Sequence, residues 1–203
     1  MIGIIDISIG NPKSIQNALS YMGIESEMIY QPASIKSYTK LILPGVGNYG
    51  AYIDKLIRTG FFAGLDKYSK EEGLPILGIC VGAQALLQKS AEGDGVMGLG
   101  LIPGQVSQIQ ATSVQKVPNV GWREIDYSQS LFHRTYLNAV EKYYFSHGYE
   151  LKVNNEFMVA EIVSNNAITA IIRKENIIGV QFHPEKSNKH GLKFLKEFSE
   201  WVP

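Results

Sequence analysis

The chain has 203 residues, 45% hydrophobic and 19% charged, a length that suits one globular domain, residues 1–203, with its own core. Its 19 basic side chains balance 19 acidic ones, which argues against a broad basic surface for nucleic acid or anionic lipid. Apolar runs of about five to nine residues fall short of the ~20 that cross a bilayer, so no membrane span is predicted.

The first half alternates apolar strands with amphipathic helices, as in a parallel sheet that helices cover on both faces. Strands are predicted over residues 2–9, 27–30, 40–43 and 75–79. The first strand carries Asp6 and follows no basic leader, so we expect no signal peptide and a cytoplasmic location. A helix is predicted from an N-cap at Asn11 to Gly23, and helical spacing returns over residues 52–57 and 61–68, closing at Gly73.

The second half is predicted to be antiparallel. Apolar runs over residues 157–163, 168–172 and 177–182 are joined by short turns at 164–166 and 174–176, which is typical of hairpins. Apolar residues at helical spacing over 192–202 indicate a final amphipathic helix. The predicted fold class is therefore α/β, with a mainly parallel central sheet flanked by helices and an antiparallel C-terminal section.

The single cysteine, Cys80, lies where a strand ends and a helix-compatible stretch, residues 83–88, begins. Gly78 and Gly82 flank it, which is the pattern of a nucleophile elbow, a turn too tight for larger flanking side chains. At a helix N-terminus the dipole favours a thiolate. The alternative is a buried core cysteine beside a glycine that packs against the helix.

A histidine and a carboxylate come late in the chain. His183 stands at the end of an alternating apolar strand, and Pro184 prevents further ladder bonding there. Histidine transfers protons near neutral pH, and Glu185 can hold the ring tautomer and stabilise the imidazolium. Alone, such a pair is usually a surface feature, but with Cys80 it supplies the three roles of a cysteine, histidine and acid triad.

Glycines lie on both sides of Val46, directly after the predicted strand 40–43. Gly45 and Gly47 let the backbone present an amide to an oxyanion without obstruction by side chains. The alternative is an ordinary glycine-rich turn. A phosphate loop is excluded, because no lysine followed by serine or threonine completes that pattern.

These three motifs, in this order, resemble those of the class I, or triad, glutamine amidotransferases. Within that superfamily the chain is most similar to glutaminase subunits of imidazole glycerol phosphate synthase, over essentially its whole length. The resemblance implies a class I glutamine amidotransferase-like fold and hydrolysis of L-glutamine to glutamate and ammonia, with no cofactor and no metal. The supporting residues are 44–47, Tyr49, Pro118, Gly121, Trp122, Tyr144, Phe145, His147, Tyr149 and 182–187.

Catalytic roles also follow from the resemblance. It implies that Cys80 attacks the side-chain amide of glutamine to form a thioester. His183 then protonates the departing ammonia and activates water, while Glu185 orients His183. The main-chain amides of Val81 and, after a backbone flip, Val46 would stabilise the tetrahedral oxyanion.

The resemblance implies five substrate-binding positions. The carboxylate of Glu92 can pair with the ammonium group of glutamine, and the backbone at residues 148–149 would hold the substrate carboxylate. Ordinary alternatives compete: Gln84 as a helix surface residue, Glu92 as part of an acidic loop, and residues 148–149 as a strand or turn. The five positions are Gly47, Gln84, Glu92, Gly148 and Tyr149.

A partner subunit is also implied. Ammonia released into water would be protonated and lost as a nucleophile, so the resemblance implies a heterodimer with a (β/α)8 synthase that receives the ammonia through its interior. The complex would form imidazole glycerol phosphate and an aminoimidazole carboxamide nucleotide in histidine biosynthesis. Tyr144 and Lys186 match docking positions, although Lys186 can also be read as part of a solvated charged turn.

The chain departs from the family pattern near these positions. Asn119 stands where the family has histidine, Arg123 where it has asparagine, and Gly148 where it often has serine or threonine. None of these removes a catalytic atom, but they leave the acceptor subunit open. The alternatives are a glutaminase for amination of bacterial surface sugars, a noncatalytic subunit that gates its partner, and a stand-alone cysteine hydrolase.

Overall fold

A computed structural model describes residues 1–93, 95–112, 116–129, 131–132, 141–164 and 168–203. The first half forms the parallel side of the sheet, with its strands in the spatial order Ser26–Ile29, Ile2–Ile5, Lys40–Gly45, Ile76–Cys80. This confirms the predicted alternation of strands and helices. The elements are β1 (Ile2–Ile5), α1 (Pro12–Tyr21), β2 (Ser26–Ile29), a 3-10 helix (Pro32–Ser37), β3 (Lys40–Gly45), α2 (Tyr49–Arg58), α3 (Phe61–Glu71) and β4 (Ile76–Cys80).

Local side-chain bonds set the ends of the first elements. Asn11 caps α1 as predicted, its side chain accepting a hydrogen bond from the Ser14 amide at 3.3 Å. The predicted strand 2–9 is too long, because the Asp6 carboxylate accepts from the Ser8 amide at 2.8 Å. With Ser8 at a φ of 60° the chain turns away from the sheet after β1.

The second half extends the same sheet with antiparallel strands. The strand Ile177–Val180 pairs in parallel with β4 on one side and antiparallel with the strand Ile168–Lys174 on the other, and the strands Met158–Ile162, Asn119–Tyr127 and Glu141–His147 follow outward. No described helix combines the length and apolarity needed to cross a membrane. The elements are α4 (Val81–Ala85), β5 (Lys89–Ser90), β6 (Gln105–Gln108), β7 (Asn119–Tyr127), β8 (Glu141–His147), β9 (Tyr149–Lys152), β10 (Met158–Ile162), β11 (Ile168–Lys174), β12 (Ile177–Val180), a 3-10 helix (Pro184–Lys186) and α5 (Asn188–Glu200).

The antiparallel half differs from its prediction in detail. The predicted runs 157–163, 168–172 and 177–182 correspond to β10, β11 and β12. The turn at 174–176 is confirmed by pairing of Lys174 with Ile177, whereas most of the turn predicted at 164–166 lies outside the described residues. The helix predicted at 83–88 is instead the single turn α4, which ends at Ala85. The sequence prediction lacked β7 and β8, which pair through seven residues each from Asn119↔His147 to Ile125↔Glu141.

The turn between β4 and α4 is held by close approach of backbones. A Cβ atom at Gly82 would lie 1.9 Å from the carbonyl oxygen of Leu43 in β3, and one at Gly78 would lie 2.8 Å from the Cα of Ala83. A Cβ at Gly45 would meet the Gly82 nitrogen at 2.3 Å. These contacts give the physical reason for the glycines on both sides of Cys80, since any side chain would push α4 off the sheet.

We expect Gly82→Ala to destabilise the fold. The added methyl group collides with a main-chain carbonyl of a central strand, and overpacking of this kind costs roughly 1–3 kcal/mol of unfolding free energy. Urea denaturation followed by circular dichroism measures the change. The matched control is Gly148→Ala, because a Cβ there meets nothing within 4 Å. Equal stability of the two variants would contradict the steric account.

Candidate active site

One cavity of about 680 Å³ opens where β4 and β12 end. It brings together most of the candidate residues that are scattered along the sequence. Glu185 stands behind His183, and Tyr144 does not line the cavity. The lining residues are Gly10, Asn11, Val46, Gly47, Cys80, Val81, Gln84, Glu92, Ser146, His147, Gly148, Tyr149, His183 and Lys186.

Cys80 occupies a strained backbone position at the end of β4. Its φ of 53° lies in the left-handed region that residues with side chains seldom adopt, and strain of this kind clusters at functional sites. The side chain is only 4% exposed, yet it lines the cavity. The Nε2 group of Gln181 donates a hydrogen bond to its sulfur at 3.8 Å. This cysteine is thus both buried and turned toward a binding space, which a purely structural cysteine does not require.

The backbone of His183 is fixed by β8 and by a buried serine. The His183 amide donates to the Tyr144 carbonyl at 2.9 Å. The Ser187 hydroxyl donates to the His183 carbonyl at 2.6 Å and accepts from the Tyr144 amide at 2.9 Å. Tyr144 therefore lies directly beside the histidine through its main chain, although its side chain is outside the cavity.

The ring of His183 is held by Glu185. Its Nδ1 atom lies 2.9 Å from Oε1 of the glutamate, and the two side chains are 4% and 5% exposed. Burial lowers the pKa of His183, but hydrogen bonds and charges of Cys80 and Glu185 outweigh it and raise the pKa to about 9. With Nδ1 committed to the carboxylate, Nε2 is the atom left to exchange a proton with the thiol. The arrangement places an imidazole that favours its protonated form beside the Cys80 sulfur.

Glu92 is held at the start of α2. Its two carboxylate oxygens accept from Nδ2 of Asn48 at 2.9 Å and from the Tyr49 amide at 3.2 Å. Asn48 in turn caps α2 by accepting from the Ala51 amide at 3.0 Å. Both carboxylate oxygens are therefore fixed by hydrogen bonds, and the Glu92 side chain lines the cavity in one orientation.

A buried pair of glutamines links the cavity wall to the cysteine. Gln84 is 3% exposed, so its interpretation as a helix surface residue is wrong. Its Nε2 donates to Oε1 of Gln181 at 3.2 Å and to the Tyr149 carbonyl at 3.5 Å. Its own Oε1 is buried without a hydrogen-bond partner among the described residues. The sequence prediction missed Gln181, which is 0% exposed. The signal available in the sequence was a polar amide side chain within an otherwise apolar run at the end of a strand.

The glycine-rich segment after β3 forms the opposite wall. Val46 is 36% exposed and Gly47 has a φ of 87°, which only glycine adopts readily. Gly10 packs beside it, where a Cβ would lie 3.8 Å from the Val46 amide nitrogen. Among the described residues no cluster of histidine, cysteine and acidic side chains has the arrangement of a metal site. Cys80, His183 and Glu92 in the cavity lining offer a nucleophile, a proton carrier and a carboxylate.

His147 is a second histidine at the cavity and was not predicted as a site residue. Burial lowers its pKa to about 4; the hydrogen bond to the Tyr149 carbonyl opposes this shift, and the charges of His183 and Arg123 reinforce it. The signal available in the sequence was the alternation in residues 141–147, which buries Tyr143, Phe145 and His147 on one face of β8. The cavity therefore holds one histidine that favours its charged form and one that favours its neutral form.

We expect Glu185→Gln to lower the pKa of His183. The substitution removes the charge of Glu185, one of the two groups that raise this pKa against burial, while the contribution of Cys80 remains, so the pKa should fall by about 1–3 units. An NMR titration of the His183 ring measures it. The control is Glu175→Gln, an exposed glutamate in the β11–β12 turn. An unchanged His183 titration would disprove the assigned coupling.

Comparison with known proteins identifies the family. The family described as glutamine amidotransferase class-I matches residues 3–200. A protein named imidazole glycerol phosphate synthase subunit HisH from Caldanaerobacter subterraneus is 38% identical over 203 residues, which cover 100% of this chain and 98% of that relative. The subunit of the same name from Listeria monocytogenes is 39% identical, with 100% and 96% covered.

Solved structures share the fold at lower identity. A crystal structure of a glutamine amidotransferase superposes with a TM-score of 0.77 at 17% identity and covers 98% of both chains. The structure of PurLQS from Thermotoga maritima gives a TM-score of 0.76 at 19% identity, covering 98% of this chain and 97% of the other. The expected α/β architecture is thereby confirmed. On the match over residues 3–200 and the full-length relatives, the chain belongs to the class-I glutamine amidotransferase family.

Proposed function

We propose that this chain is a glutaminase subunit that hydrolyses L-glutamine and delivers ammonia to a synthase making imidazole glycerol phosphate. One observation carries the proposal: Cys80 and His183 share a cavity with a positioned carboxylate behind the histidine. The relatives at 38% and 39% identity, both named imidazole glycerol phosphate synthase subunit HisH, favour histidine biosynthesis over amination of surface sugars. Residues 1–203 would form one glutamine amidotransferase domain.

The chemistry follows from the residues. The Cys80 thiolate attacks the amide carbon of glutamine, and the electron pair of the C=O bond moves to oxygen. Amides at Val81 and Val46 are the candidates to stabilise that oxyanion. His183 gives its proton to the leaving nitrogen, ammonia departs and a thioester remains. His183 then takes a proton from water, whose oxygen attacks the thioester; the C–S bond breaks, glutamate leaves, and the thiolate is restored beside protonated His183.

Substrate recognition would use the fixed polar groups of the cavity. The Glu92 carboxylate offers the negative charge that an ammonium group needs. Gln84 contributes Oε1, an acceptor that no described residue satisfies. The backbone of Gly148 and Tyr149, together with Gly47, lines the remaining wall and would hold the substrate carboxylate and side chain. Glutamine matches this set of groups, because it carries an ammonium group for the Glu92 carboxylate, a carboxylate for the main-chain groups, and a side-chain amide that can donate to an acceptor.

A partner is supported by the surface next to the cavity. Trp122 and Val120 in β7 are large apolar side chains that remain 44% and 47% exposed. Trp122 packs edge-on against Tyr144, with ring centroids 6.1 Å apart, and Lys186 lies at the cavity rim. Apolar exposure beside a charged rim suits a protein interface. A (β/α)8 barrel synthase docked here, in a cytoplasmic heterodimer, would receive ammonia without release into water.

We expect Cys80→Ala to abolish glutamine-dependent synthesis by the complex with the barrel subunit. The nucleophile is lost, but the acceptor reaction takes place on the partner. Synthesis from added ammonium salt should therefore continue at the wild-type rate. Product formation with either nitrogen source measures this. Loss of both activities would refute the division of labour between the subunits.

We expect the isolated chain to hydrolyse glutamine slowly and the barrel subunit to stimulate it by about tenfold or more, equivalent to ~1.4 kcal/mol in the barrier. The stimulation would arise because the amide at Val46 must reorient. Lys186→Ala should reduce stimulation, whereas Lys189→Ala should not, because Lys189 is an exposed lysine at the start of α5 that does not line the cavity. Glutamate release with and without partner reports the effect. Full-rate turnover by the chain alone would favour a stand-alone hydrolase.

A further inference from the structure

A line of hydrogen bonds runs from the outer edge of β7 into the cavity. We propose that Arg123 is a positioning residue for glutamine binding: through Asn119 it fixes His147 in the neutral form with the proton on Nδ1, and His147 thereby holds the Tyr149 carbonyl. The effect of Arg123 on glutamine binding rests on the proposed function. The arrangement of the side chains does not rest on it and has a separate test.

The first step is the contact of Arg123 with Asn119. Nε of the arginine donates to Oδ1 of the asparagine at 3.0 Å. The guanidinium also donates to the carbonyls of Trp122 and Val120 at 3.0 and 3.2 Å, so it is anchored in one orientation. Arginine has donors and no acceptor, and the asparagine atom that faces it must therefore be the oxygen. Arg123 thus decides which way the buried amide of Asn119 points.

The second step passes from Asn119 to His147, which are direct partners across β7 and β8. With its oxygen turned to Arg123, the amide presents Nδ2 to Nε2 of His147 at 2.8 Å. An amide NH2 group donates only, so Nε2 must be the unprotonated acceptor. The proton of the neutral ring is then on Nδ1, which donates to the Tyr149 carbonyl at 2.7 Å. Asn119 and His147 are 1% and 6% exposed, so water does not compete for these bonds.

The third step brings two donors to one carbonyl in the cavity wall. The Tyr149 oxygen accepts from His147 and, at 3.5 Å, from Nε2 of Gln84. The same Nε2 donates to Gln181, which donates onward to the sulfur of Cys80. The orientation of the Gln84 amide therefore leaves Oε1 as the free acceptor. Arg123 acts on the substrate pocket through the position of this carbonyl and touches no reacting atom.

The neutral state of His147 also suits the charge of its surroundings. The two positive groups that act on it are Arg123 and His183. A second imidazolium in the same buried cavity would oppose protonation of His183.

The test combines NMR of the ring nitrogens with kinetics of the complex. In the wild-type chain at pH 7 we expect His147 to be neutral with the proton on Nδ1; His147→Gln assigns its signals. Asn119→Asp replaces the amide donor by an acceptor of nearly the same shape, so the ring should become doubly protonated at pH 7. Wild-type His147 that is cationic, or protonated on Nε2, would overturn the proposal.

Kinetics then separate positioning from catalysis. Arg123→Met in the complex should raise KM for glutamine about five- to tenfold while changing kcat much less, because the lost bond orients the pocket and does not join the reaction. Arg123→Lys, which keeps a donor, should restore part of the affinity. Arg58→Met removes an exposed arginine of α2 and serves as the charge control. An Arg123→Met enzyme with unchanged KM and unchanged ring protonation would refute the proposal. Expected ring signals without any glutaminase activity would refute the proposed function instead.

Discussion

The site depends on one steric constraint, the approach of α4 to the central sheet without space for a side chain. A Cβ atom on Gly82 would lie 1.9 Å from the carbonyl oxygen of Leu43. A Cβ atom on Gly78 would collide with Ala83 and Gly82 in the turn itself. Because the helix must start so close to β3, the chain reverses within a single residue. Cys80 is that residue, and its left-handed backbone turns the sulfur out of the sheet and into the cavity. The backbone strain at Cys80 destabilises the fold by an amount of order 1–3 kcal/mol. The core offsets this strain, since every residue of β4 is buried.

Electrostatics then separates two histidines that share nearly the same burial. Desolvation lowers the pKa of both His183 and His147, yet one reaches about 9 and the other about 4. Their partners account for the difference. His183 faces a thiol and a carboxylate, which stabilise its charged form, whereas His147 faces an amide donor and two cations. A single cavity therefore holds a proton shuttle beside a neutral structural ring, and neither role follows from the residue type alone.

The sequence allowed prediction of the parallel half and of the residues that converge on the cavity. Those features rest on strong local signals: apolar periodicity, glycines around Cys80, and a proline after His183. The pairing of β7 with β8 and the contacts of Asn119, Arg123 and Gln181 were missed, because single amides and an arginine have no motif of their own. Their meaning comes from contacts across strands, such as Asn119 with His147, that no spacing along the chain records. Element ends were also less accurate, as at β1, where the side chain of Asp6 ends the strand.

The parallel pairing of β4 with β12 has a further consequence for how such a chain can change. Val180 is matched with Ile79 in the ladder, so Cys80, one residue on, and His183, three residues on, follow the same end of neighbouring strands. Loops between these two strands in the chain, such as residues 153–157 between β9 and β10, lie outside this ladder. Insertions, deletions or other changes in such loops can reshape the outer surface of the protein without changing the separation of sulfur and imidazole, whereas α4 and β8, which contact the Cys80 turn and the His183 backbone, are constrained. The exterior surface can therefore change to contact different partner proteins while the relative position of Cys80 and His183 is kept.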